Sequence, residues 1–434
     1  MGKVQVFLFF LQLSLRFFFY TNRSMKLRLN SEFGTLKAVL MHRPGREIDR
    51  LTPYNITEYL FEDMPYLEVM QREHDEFQSL IKGATGAKVY RLLDLLIESL
   101  IDDELLIKAF KIALKPHKLE HLAEDMIGRF STLECANALI AGVKVRELKR
   151  KLHHHSLDKL GEHAFVITPS PNSYFMRDPA AVVQTGVISC QMKNAIRTRE
   201  SFIMRMIFEN HPLFRENFNL IYPKDTIEES LTENYPDIEG GDVIVLSAKA
   251  LAIGNSERTD SEAIQEVAKE VLKSGEVERV YEVLLPKKRH FMHLDTVFTI
   301  IDENLVVTYP DALQAVMETR VHRKEGLDEN GNTILSTEVL KESLLDVLKK
   351  EIDYLEIIHT GDGNPDYASR EQWFDGANVF AIGPRRVISY NRNRHTNRAL
   401  REAGVEVNVI PSSELSRGLG GPRCMTMALD RQDF

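Results

Sequence analysis

Cysteine and tryptophan are scarce in this chain of 434 residues, which contains three cysteines and one tryptophan. Cys135, Cys190 and Cys424 are far apart in the sequence. None belongs to a Cys-x-x-Cys pair or to a Cys/His pattern of the kind that binds structural zinc. An odd number of widely spaced thiols also argues against a disulfide scaffold. The cysteine content therefore indicates a reducing compartment, and we expect a cytoplasmic protein.

Positive charge is also in short supply, since 55 Lys and Arg residues face 64 Asp and Glu residues and the formal net charge is −9. Such a chain repels phosphate groups, and no basic stripe interleaved with aromatic residues offsets that repulsion. The sequence has neither a glycine-rich phosphate loop nor a cluster with metal-ligand spacing. We therefore expect no nucleic acid partner, no cofactor and no metal. A small cationic substrate is compatible with this charge.

A clear membrane span is missing too, although the N-terminus is apolar. The run from Val4 to Leu15 ends at Arg16 and is too short for a confident span. No small-residue cleavage site follows it, and Met25 opens a segment that resembles an ordinary protein start. We interpret residues 1–24 as an upstream extension or leader outside the fold and expect no membrane association. A cleaved or anchoring segment and a docked element are the alternatives.

A supersecondary unit recurs after Met25: an apolar strand, a tight turn, a second apolar strand, a polar helix and a third strand. The two clear copies are Ile238 to Gly254 with a helix from about Asp260 to Ser274 and a strand from Arg279 to Leu285, and Phe374 to Tyr390 with a helix from Thr396 to Ala403 and a strand from Val405 to Ile410. Weaker copies begin near Arg177, His293 and Thr35. About five such units imply stacking around an axis, where polar residues at equivalent strand starts would converge.

Residues 92–160 interrupt this pattern. Their apolar residues have helical spacing and their Gly and Pro content is low, which predicts an inserted bundle of several helices. The run from His153 to His155 lies in this block. Adjacent residues do not share a helix face, so we expect an exposed polar end and not a metal site.

Reactive side chains are concentrated in four short segments at predicted strand starts: Pro171 to Pro179, Ile238 to Asp242, Met292 to Thr296 and Gly420 to Met425. Each has an ordinary explanation when taken singly. Arg177 and Asp178 could form an ion pair at a turn, and a Glu-Gly-Gly-Asp run could be a flexible start of a strand. His293 and Asp295 would point to one face of an extended segment and could form a surface pair.

Cys424 has the strongest claim to reactivity among these residues. A lone cysteine is more often a small buried residue than a nucleophile. Here, however, the glycine-rich approach and the neighbouring Arg423 favour a nucleophile, because backbone amides and cationic charge both stabilise a thiolate.

Six segments of the chain, in order, resemble segments of arginine deiminases. They are SEFGTLKAVLMHRPG, PNSYFMRDP, IEGGD, MHLDT, REQWFDGANV and ELSRGLGGPRCMTM, and the similarity extends from about Met25 to Phe434. Each motif alone is shared with other guanidine-modifying enzymes, whereas the full set with a helical insertion is typical of arginine deiminases. The resemblance implies hydrolysis of free L-arginine to citrulline and ammonia by a cytoplasmic homodimer or larger homo-oligomer.

The resemblance also implies a fold: an α/β pseudo-fivefold propeller of the pentein type, with the active site at its axis and an inserted α-helical bundle. This matches the repeat found in the sequence. On this basis residues 25–91 and 161–434 form the catalytic propeller and residues 92–160 form the inserted bundle.

Five residues acquire catalytic roles from the resemblance. Cys424 would attack the guanidinium carbon and form a covalent thiouronium intermediate. Asp178 and Asp295 would bind the guanidinium nitrogens, for which carboxylates are natural acceptors. Glu239 and His293 would pair, and His293 would protonate the leaving ammonia and then activate water. A strong nucleophile and a fixed geometry are needed because the delocalised charge of a guanidinium carbon resists attack by water.

Recognition of the free amino acid would involve Asn172, Arg197 and Arg258, which stand where the family contacts the α-carboxylate and α-ammonium groups. Taken alone, an arginine is more often a solvated surface charge than a ligand-binding residue. Leu419 departs from the family, which commonly has an arginine here that helps to bind or gate the substrate. A rearranged loop, replacement of that arginine by Arg417 or Arg423, and a different substrate are the open explanations.

Two other functions stay open at this point. Leu419 favours a related guanidine-modifying enzyme that acts on agmatine or another guanidino compound, whereas Arg197 and Arg258 favour an amino acid substrate. A non-catalytic arginine-binding homologue could keep the same fold, because function resides in the site. The complete set of candidate catalytic residues argues against that reading.

Overall fold

Five sheets of the protein have a common strand pattern in the computed structural model, which describes residues 24–100, 102–226 and 235–433. In each sheet a central strand pairs antiparallel with a first strand and parallel with a third. Named in the order first, central and third strand, they are Met427–Arg431, Leu36–Met41 and Lys88–Arg91 (first sheet); Ala180–Val183, Gly186–Ser189 and Leu220–Tyr222 (second sheet); Val243–Ser247, Ala250–Asn255 and Arg279–Leu284 (third sheet); Phe298–Asp302, Leu305–Thr308 and Glu356–His359 (fourth sheet); Phe380–Gly383, Arg386–Tyr390 and Glu406–Ile410 (fifth sheet).

A helix lies between the central strand and the third strand of every one of these sheets, as a parallel connection requires. In sheet order these helices are Leu67–Thr85, Thr198–Asn210, Ser261–Val271, Leu344–Glu351 and Arg394–Glu402. Helix Ser261–Val271 buries an apolar face that includes Ile264, Val267 and Val271. The helices and strands predicted for the two clear copies of the repeat are confirmed, with small shifts at their ends.

The two ends of the described chain meet in the first sheet. Its first strand, Met427–Arg431, comes from the C-terminal end and pairs antiparallel with Leu36–Met41 near the N-terminal end. The first sheet therefore repeats the pattern of the others only because distant segments combine.

A hairpin extends the third sheet and was not predicted. Its strands, Thr319–Leu327 and Thr333–Leu340, follow a short helix at Pro310–Ala315, and Thr319–Leu327 pairs antiparallel with Arg279–Leu284. A further helix, Pro365–Trp373, precedes the fifth sheet.

Residues 92–160 are largely helical. The helices are Leu92–Ser99, Asp103–Leu114, Ala123–Ile127, Thr132–Ala141 and Val145–Leu148. A capping box at Ser131 and Glu134 begins one of them. The block also contains a two-residue strand, Val143–Lys144, which pairs with Phe165–Ile167 and was not foreseen. His153 and His155 are exposed, as predicted.

The interpretation of residues 1–24 as an upstream extension or leader concerns residues that, except for Ser24, lie outside the described part of the chain. Among the residues that are described, no helix has the length and apolar character needed to cross a membrane.

Apolar side chains fill the spaces between sheets and helices. One buried cluster joins the first two sheets and the helical block, with Phe77, Phe110 and Phe208 among its largest members. A second cluster joins residues of the third, fourth and fifth sheets, including Ile300 and Val387. Charged residues at the strand starts are therefore surrounded by apolar packing and need specific partners.

Candidate active site

The predicted catalytic residues lie just before the first strands of different sheets. Asp178 precedes the second sheet, Glu239 the third, His293 and Asp295 the fourth, and Cys424 the strand that the C-terminus adds to the first. All five are at most 4% exposed. The structure brings these residues together, and the convergence that the repeat predicted is found in the distances below.

One pocket is lined by six of the predicted site residues: Asn172, Asp178, Arg197, Arg258, His293 and Cys424. Glu239 and Asp295 do not line it. They lie behind it, where Glu239 contacts His293 and Asp295 contacts Cys424.

His293 and Glu239 form a short buried pair, with 2.7 Å between Nε2 and the carboxylate oxygen Oε2. Burial opposes protonation of His293, but Asp178 and Glu239 outweigh it and raise the pKa of His293 to about 9. Burial likewise opposes ionisation of Glu239, but Arg258 and His293 lower its pKa to about 2. At neutral pH the pair is an imidazolium beside a carboxylate. Gly241 permits this arrangement, because a Cβ there would lie 2.5 Å from Nδ1 of His293.

Asp178 is held by Arg197. The guanidinium of Arg197 donates to Oδ2 of Asp178 at 2.9 Å and makes two hydrogen bonds, at 2.8 and 3.1 Å, to Oε2 of Glu200. It also lies 3.7 Å from Glu239. Burial lowers the pKa of Arg197, but Glu200 and Asp178 outweigh it, so the pKa is raised above its usual range. Arg197 is therefore a buried cation that fixes one face of Asp178.

Asp295 is held in the same manner by Arg423. Arg423 donates to Oδ2 of Asp295 at 2.6 Å and to Oε1 of Glu32 at 2.9 Å. The Sγ atom of Cys424 is 3.8 Å from the same Oδ2. Burial, Asp295 and Asp178 raise the pKa of Cys424 well above the usual range of a thiol. In this state of the site the nucleophile candidate is a protonated thiol.

The second oxygen of each aspartate has no hydrogen-bond donor among the described residues. Oδ1 of Asp178 and Oδ1 of Asp295 are both buried and accept no hydrogen bond there. Buried carboxylate oxygens without donors are unfavourable unless a ligand supplies the donors. The two atoms are thus available to a cation with several N–H groups.

Asn172 and Arg258 complete the predicted set. Asn172 donates from Nδ2 to the carbonyl of Tyr59 at 2.9 Å. Arg258 is 2% exposed and its Nη1 lies 3.5 Å from Oε1 of Glu239. Arg258 is therefore a buried charge and not a solvated one, and the same holds for Arg197 at 4% exposed.

Leu419 lines the pocket, with a left-handed backbone φ of 59°. Neither proposed replacement for an arginine at this position lines the pocket: Arg417 pairs with Asp63 and Glu414 near the surface, and Arg423 lies behind the pocket on Asp295. Besides Arg197 and Arg258, a third arginine lines it, Arg289, which the sequence reasoning missed.

Arg289 holds the segment before helix Leu67–Thr85 against the pocket. It donates to Glu62 at 2.7 Å and to the carbonyl of Leu60 at 2.6 Å, and Leu60 itself lines the pocket. The free volume of the pocket is about 20 Å³, and Arg289 and Leu60 are part of its wall.

A metal ion is one conceivable occupant, since ligand atoms of Asp178, Glu239 and His293 lie within 4.8 Å of one another. Arg197 and Arg258 already stand beside these carboxylates, at 2.9 Å from Asp178 and 3.5 Å from Glu239. The negative charge that would attract a metal is thus largely neutralised by side chains of the protein.

Asn378 was also missed, although its segment belongs to one of the six motifs. Its Oδ1 accepts a hydrogen bond from the backbone N–H of Cys424, and its Nδ2 donates to the carbonyl of Asp295, each at 3.0 Å. The repeat contained a signal for it, because Gly-Ala-Asn378-Val matches Gly-Gly-Asp242-Val of the other clear copy.

The chain is similar in sequence to known arginine deiminases. A family model described as arginine deiminase matches residues 57–431. An arginine deiminase of Oenococcus oeni is 37% identical over 421 residues, covering 94% of this chain and 98% of that protein. One of Borrelia recurrentis is 38% identical over 414 residues, covering 93% and 98%. Among solved structures, an amidinotransferase from Microseira wollei in the saxitoxin biosynthetic pathway has a TM-score of 0.53 at 14% identity, covering 94% of this chain and 98% of that one. This likeness shows a shared α/β fold alone.

Proposed function

This chain belongs to the arginine deiminase family and acts on the guanidinium group of arginine, and we propose that it does so through a covalent intermediate on Cys424. The overall reaction is hydrolysis of L-arginine to citrulline and ammonia. The roles proposed below belong to Cys424, His293, Glu239, Asp178 and Asp295.

The observation that carries this proposal is the pair of donor-free oxygens, Oδ1 of Asp178 and Oδ1 of Asp295, buried beside a thiol. A guanidinium group has N–H donors in a planar fork, which suits two carboxylates. Arg197 and Arg423 keep the other oxygens occupied, so each aspartate keeps one oxygen for the substrate. The substrate carbon is thereby held near Sγ of Cys424.

Substrate binding activates the thiol. Burial and the carboxylates of Asp295 and Asp178 raise the pKa of Cys424 in the empty site. A bound guanidinium cation opposes both carboxylates and therefore lowers that pKa. The thiol proton passes to water, and the thiolate attacks the guanidinium carbon. The nucleophile is thus formed only when a cationic substrate is present.

His293 supplies and removes the other protons. As an imidazolium, it protonates the departing amino group, the C–N bond breaks and ammonia leaves a thiouronium on Cys424. The neutral His293 then takes a proton from water, whose oxygen attacks the same carbon. The C–S bond breaks, the hydroxyl proton of the adduct passes to the sulfur, citrulline leaves and the Cys424 thiol is restored. Glu239 holds His293 and stabilises its charged form.

Asn172, Arg197 and Arg258 bind the amino acid end of the substrate in this proposal. Their support is position, since all three line the pocket with Cys424. Arg197 is already shared between Asp178 and Glu200, so it would serve the α-carboxylate as an additional contact and not as a free charge. No metal and no cofactor take part.

The arrangement of the chain follows the same proposal. Residues 25–91 and 161–434 form a pseudo-fivefold α/β propeller with the site at its axis. Support comes from five sheets of one pattern and from the pocket, which is lined by residues that precede the first strands of the first, second and fourth sheets. Residues 92–160 form an inserted helical bundle, supported by five α-helices among the described residues of that range, and residues 1–24 are an upstream extension or leader. The proposal includes a homodimer or larger homo-oligomer in the cytoplasm. The three free cysteines are in keeping with that reducing compartment.

The test is release of citrulline and ammonia by the purified protein from L-arginine, with agmatine and methylated arginines in parallel and Cys424→Ala as the inactive variant. Turnover of L-arginine that Cys424→Ala abolishes supports the proposal and means that Leu419 is tolerated in the pocket. Turnover of agmatine alone would reject the amino acid contacts assigned to Arg197 and Arg258. Binding of arginine with no turnover would reject the catalytic roles.

A further inference from the structure

Asn378 occupies a junction between the nucleophile and a substrate-binding carboxylate. It is fully buried before the fifth sheet. Its side-chain oxygen accepts from the N–H of Cys424, and its side-chain nitrogen donates to the carbonyl of Asp295, both at 3.0 Å. Its own carbonyl accepts from the N–H of Arg423 at 3.4 Å. Asn378 therefore contacts the backbone of three residues of the site, Arg423, Cys424 and Asp295.

The chain before Cys424 is shaped to fit this amide. A Cβ on Gly421 would lie 2.6 Å from Oδ1 of Asn378 and 2.8 Å from its Cβ, so a larger residue there would displace the amide. The N–H of Met425 donates to the carbonyl of Gly421 at 3.2 Å and closes a turn around Cys424. The close approach at Gly421 is therefore what lets the amide reach the backbone of Cys424.

The equivalent residue of the third sheet has a parallel role. Asp242 occupies the position that Asn378 occupies in the repeat, and its Oδ1 accepts from the N–H of Leu294 at 2.8 Å, between His293 and Asp295. In both cases a side chain that precedes one sheet accepts a hydrogen bond from a backbone N–H in the catalytic segment of another sheet.

The two positions differ in chemistry, since one carries a carboxyl group and the other an amide. Asp242 accepts hydroxyl hydrogen bonds from Ser256 and Thr259 as well. A carboxylate at position 378 would accept the backbone N–H of Cys424 and add a negative charge near its thiol, which disfavours the thiolate. An amide accepts the N–H without adding charge and also supplies a donor for the carbonyl of Asp295.

We propose that Asn378 is a positioning residue for the deimination reaction, which fixes the backbone of Cys424 relative to Asp295 and keeps that contact uncharged. The proposal rests on the proposed function for the identity of the nucleophile. Asn378 acts through Cys424 and Asp295 and does not contact the substrate.

The test compares Asn378→Asp and Asn378→Ala with the parent enzyme. For Asn378→Asp we expect kcat to fall by about 10²-fold, because a small misplacement of reacting groups can reduce the rate by that much. KM should stay within roughly threefold of the parent value. We also expect the pH midpoint for alkylation of Cys424 by iodoacetamide to rise, because the added charge opposes the thiolate. Asn378→Ala should lose kcat without that rise.

Asn393→Asp is the matched control, because Asn393 is also buried and donates to a backbone carbonyl, that of Phe374, at 2.9 Å. It should lower thermal stability and leave kcat and the alkylation midpoint unchanged. The proposal is overturned if folded Asn378→Asp keeps both kcat and the midpoint, or if Asn393→Asp reduces kcat equally. If Asn378→Asp does not fold, Asn378→Ala decides, and retained kcat there rejects the proposal. The alkylation measurement does not depend on turnover. If the proposed function is wrong, the parent enzyme itself does not hydrolyse arginine, and this outcome differs from a failure of the Asn378 proposal.

Discussion

Among the described residues, His293 and His322 are two buried histidines that each pair with a buried glutamate, and of these two His293 lines the pocket. His293 pairs with Glu239 at 2.7 Å and His322 pairs with Glu282 at 3.0 Å, and all four residues are at most 2% exposed. The same local contact can thus serve catalysis in one place and packing in another. The difference is position: His293 lies at a strand start beside Asp178, whereas His322 lies within a strand of the hairpin.

This pair of histidines gives a residue-scale prediction. His293→Gln should reduce kcat by about 10²- to 10⁴-fold, the range expected for loss of a general acid–base residue. His322→Gln should lower the melting temperature and leave kcat unchanged. Steady-state citrulline release and thermal melts of both variants check this. Equal losses of kcat in the two variants would assign His293 a structural role only.

The pKa of His293 predicts the alkaline limb of activity. Asp178 and Glu239 raise that pKa to about 9 against the effect of burial, so the imidazolium persists through neutral pH. A raised pKa means that the protein stabilises the protonated form. His293 therefore stops acting as a general acid only as pH rises through about 9. We expect kcat to fall above that pH, and the limb to move to lower pH in Glu239→Gln. A pH profile of kcat that is the same in both enzymes would contradict this account.

At the scale of elements, helix Leu67–Thr85 positions the loop that leads to Leu419 and Cys424. The buried carboxylate of Glu73 accepts four hydrogen bonds from that loop: from the N–H and hydroxyl of Ser413, each at 2.7 Å, and from the N–H groups of Glu414 and Leu415, at 3.0 and 2.9 Å. The short 3₁₀ helix Leu415–Gly418 begins at this anchor. One side chain of a distant helix thus fixes where this loop starts.

Glu73→Gln should loosen this loop, because an amide NH₂ then faces backbone donors. We expect the free energy of unfolding to fall by about 1.5–3 kcal/mol, the value of a hydrogen bond to a charged group, and kcat/KM to fall by about tenfold through the displaced loop. Glu76→Gln is the control, since Glu76 is exposed on the same helix. Denaturant unfolding and kcat/KM are the measurements. Unchanged values in Glu73→Gln would mean that the loop holds its shape without this anchor.

Elements with a strong local pattern could be predicted from the sequence, and the others could not. The copies at Ile238 and Phe374 carry alternating apolar strands between glycines, which is a local signal. The hairpin strands Thr319–Leu327 and Thr333–Leu340 were missed, because most of their side chains are exposed and several are charged, so no apolar pattern marks them. Arg289 and Glu73 escaped notice for another reason: their roles arise from contacts with Glu62 and Ser413, which no local pattern reveals.

At the scale of the whole molecule, the site depends on the closure of the chain. Cys424 lies just before Met427–Arg431, the strand that joins the C-terminal end to Leu36–Met41. Arg431 is buried and donates to the carbonyls of Gly34 and Ala381, each at 2.7 Å, which ties the first sheet to the fifth. The nucleophile thus takes its place only when both ends of the fold are assembled.

Ligand binding should therefore stabilise the fold as one unit. In Cys424→Ala, which cannot react, L-arginine at 100 times its Kd should add about 2.7 kcal/mol to the free energy of unfolding. With an unfolding entropy of roughly 0.9 kcal/mol/K for a chain of 434 residues, the melting temperature should rise by about 3 °C in a single transition. Addition of Asp178→Asn to this variant should remove the shift, because a substrate-binding oxygen is lost. Two transitions, of which arginine moves only one, would mean that part of the chain folds independently of the site.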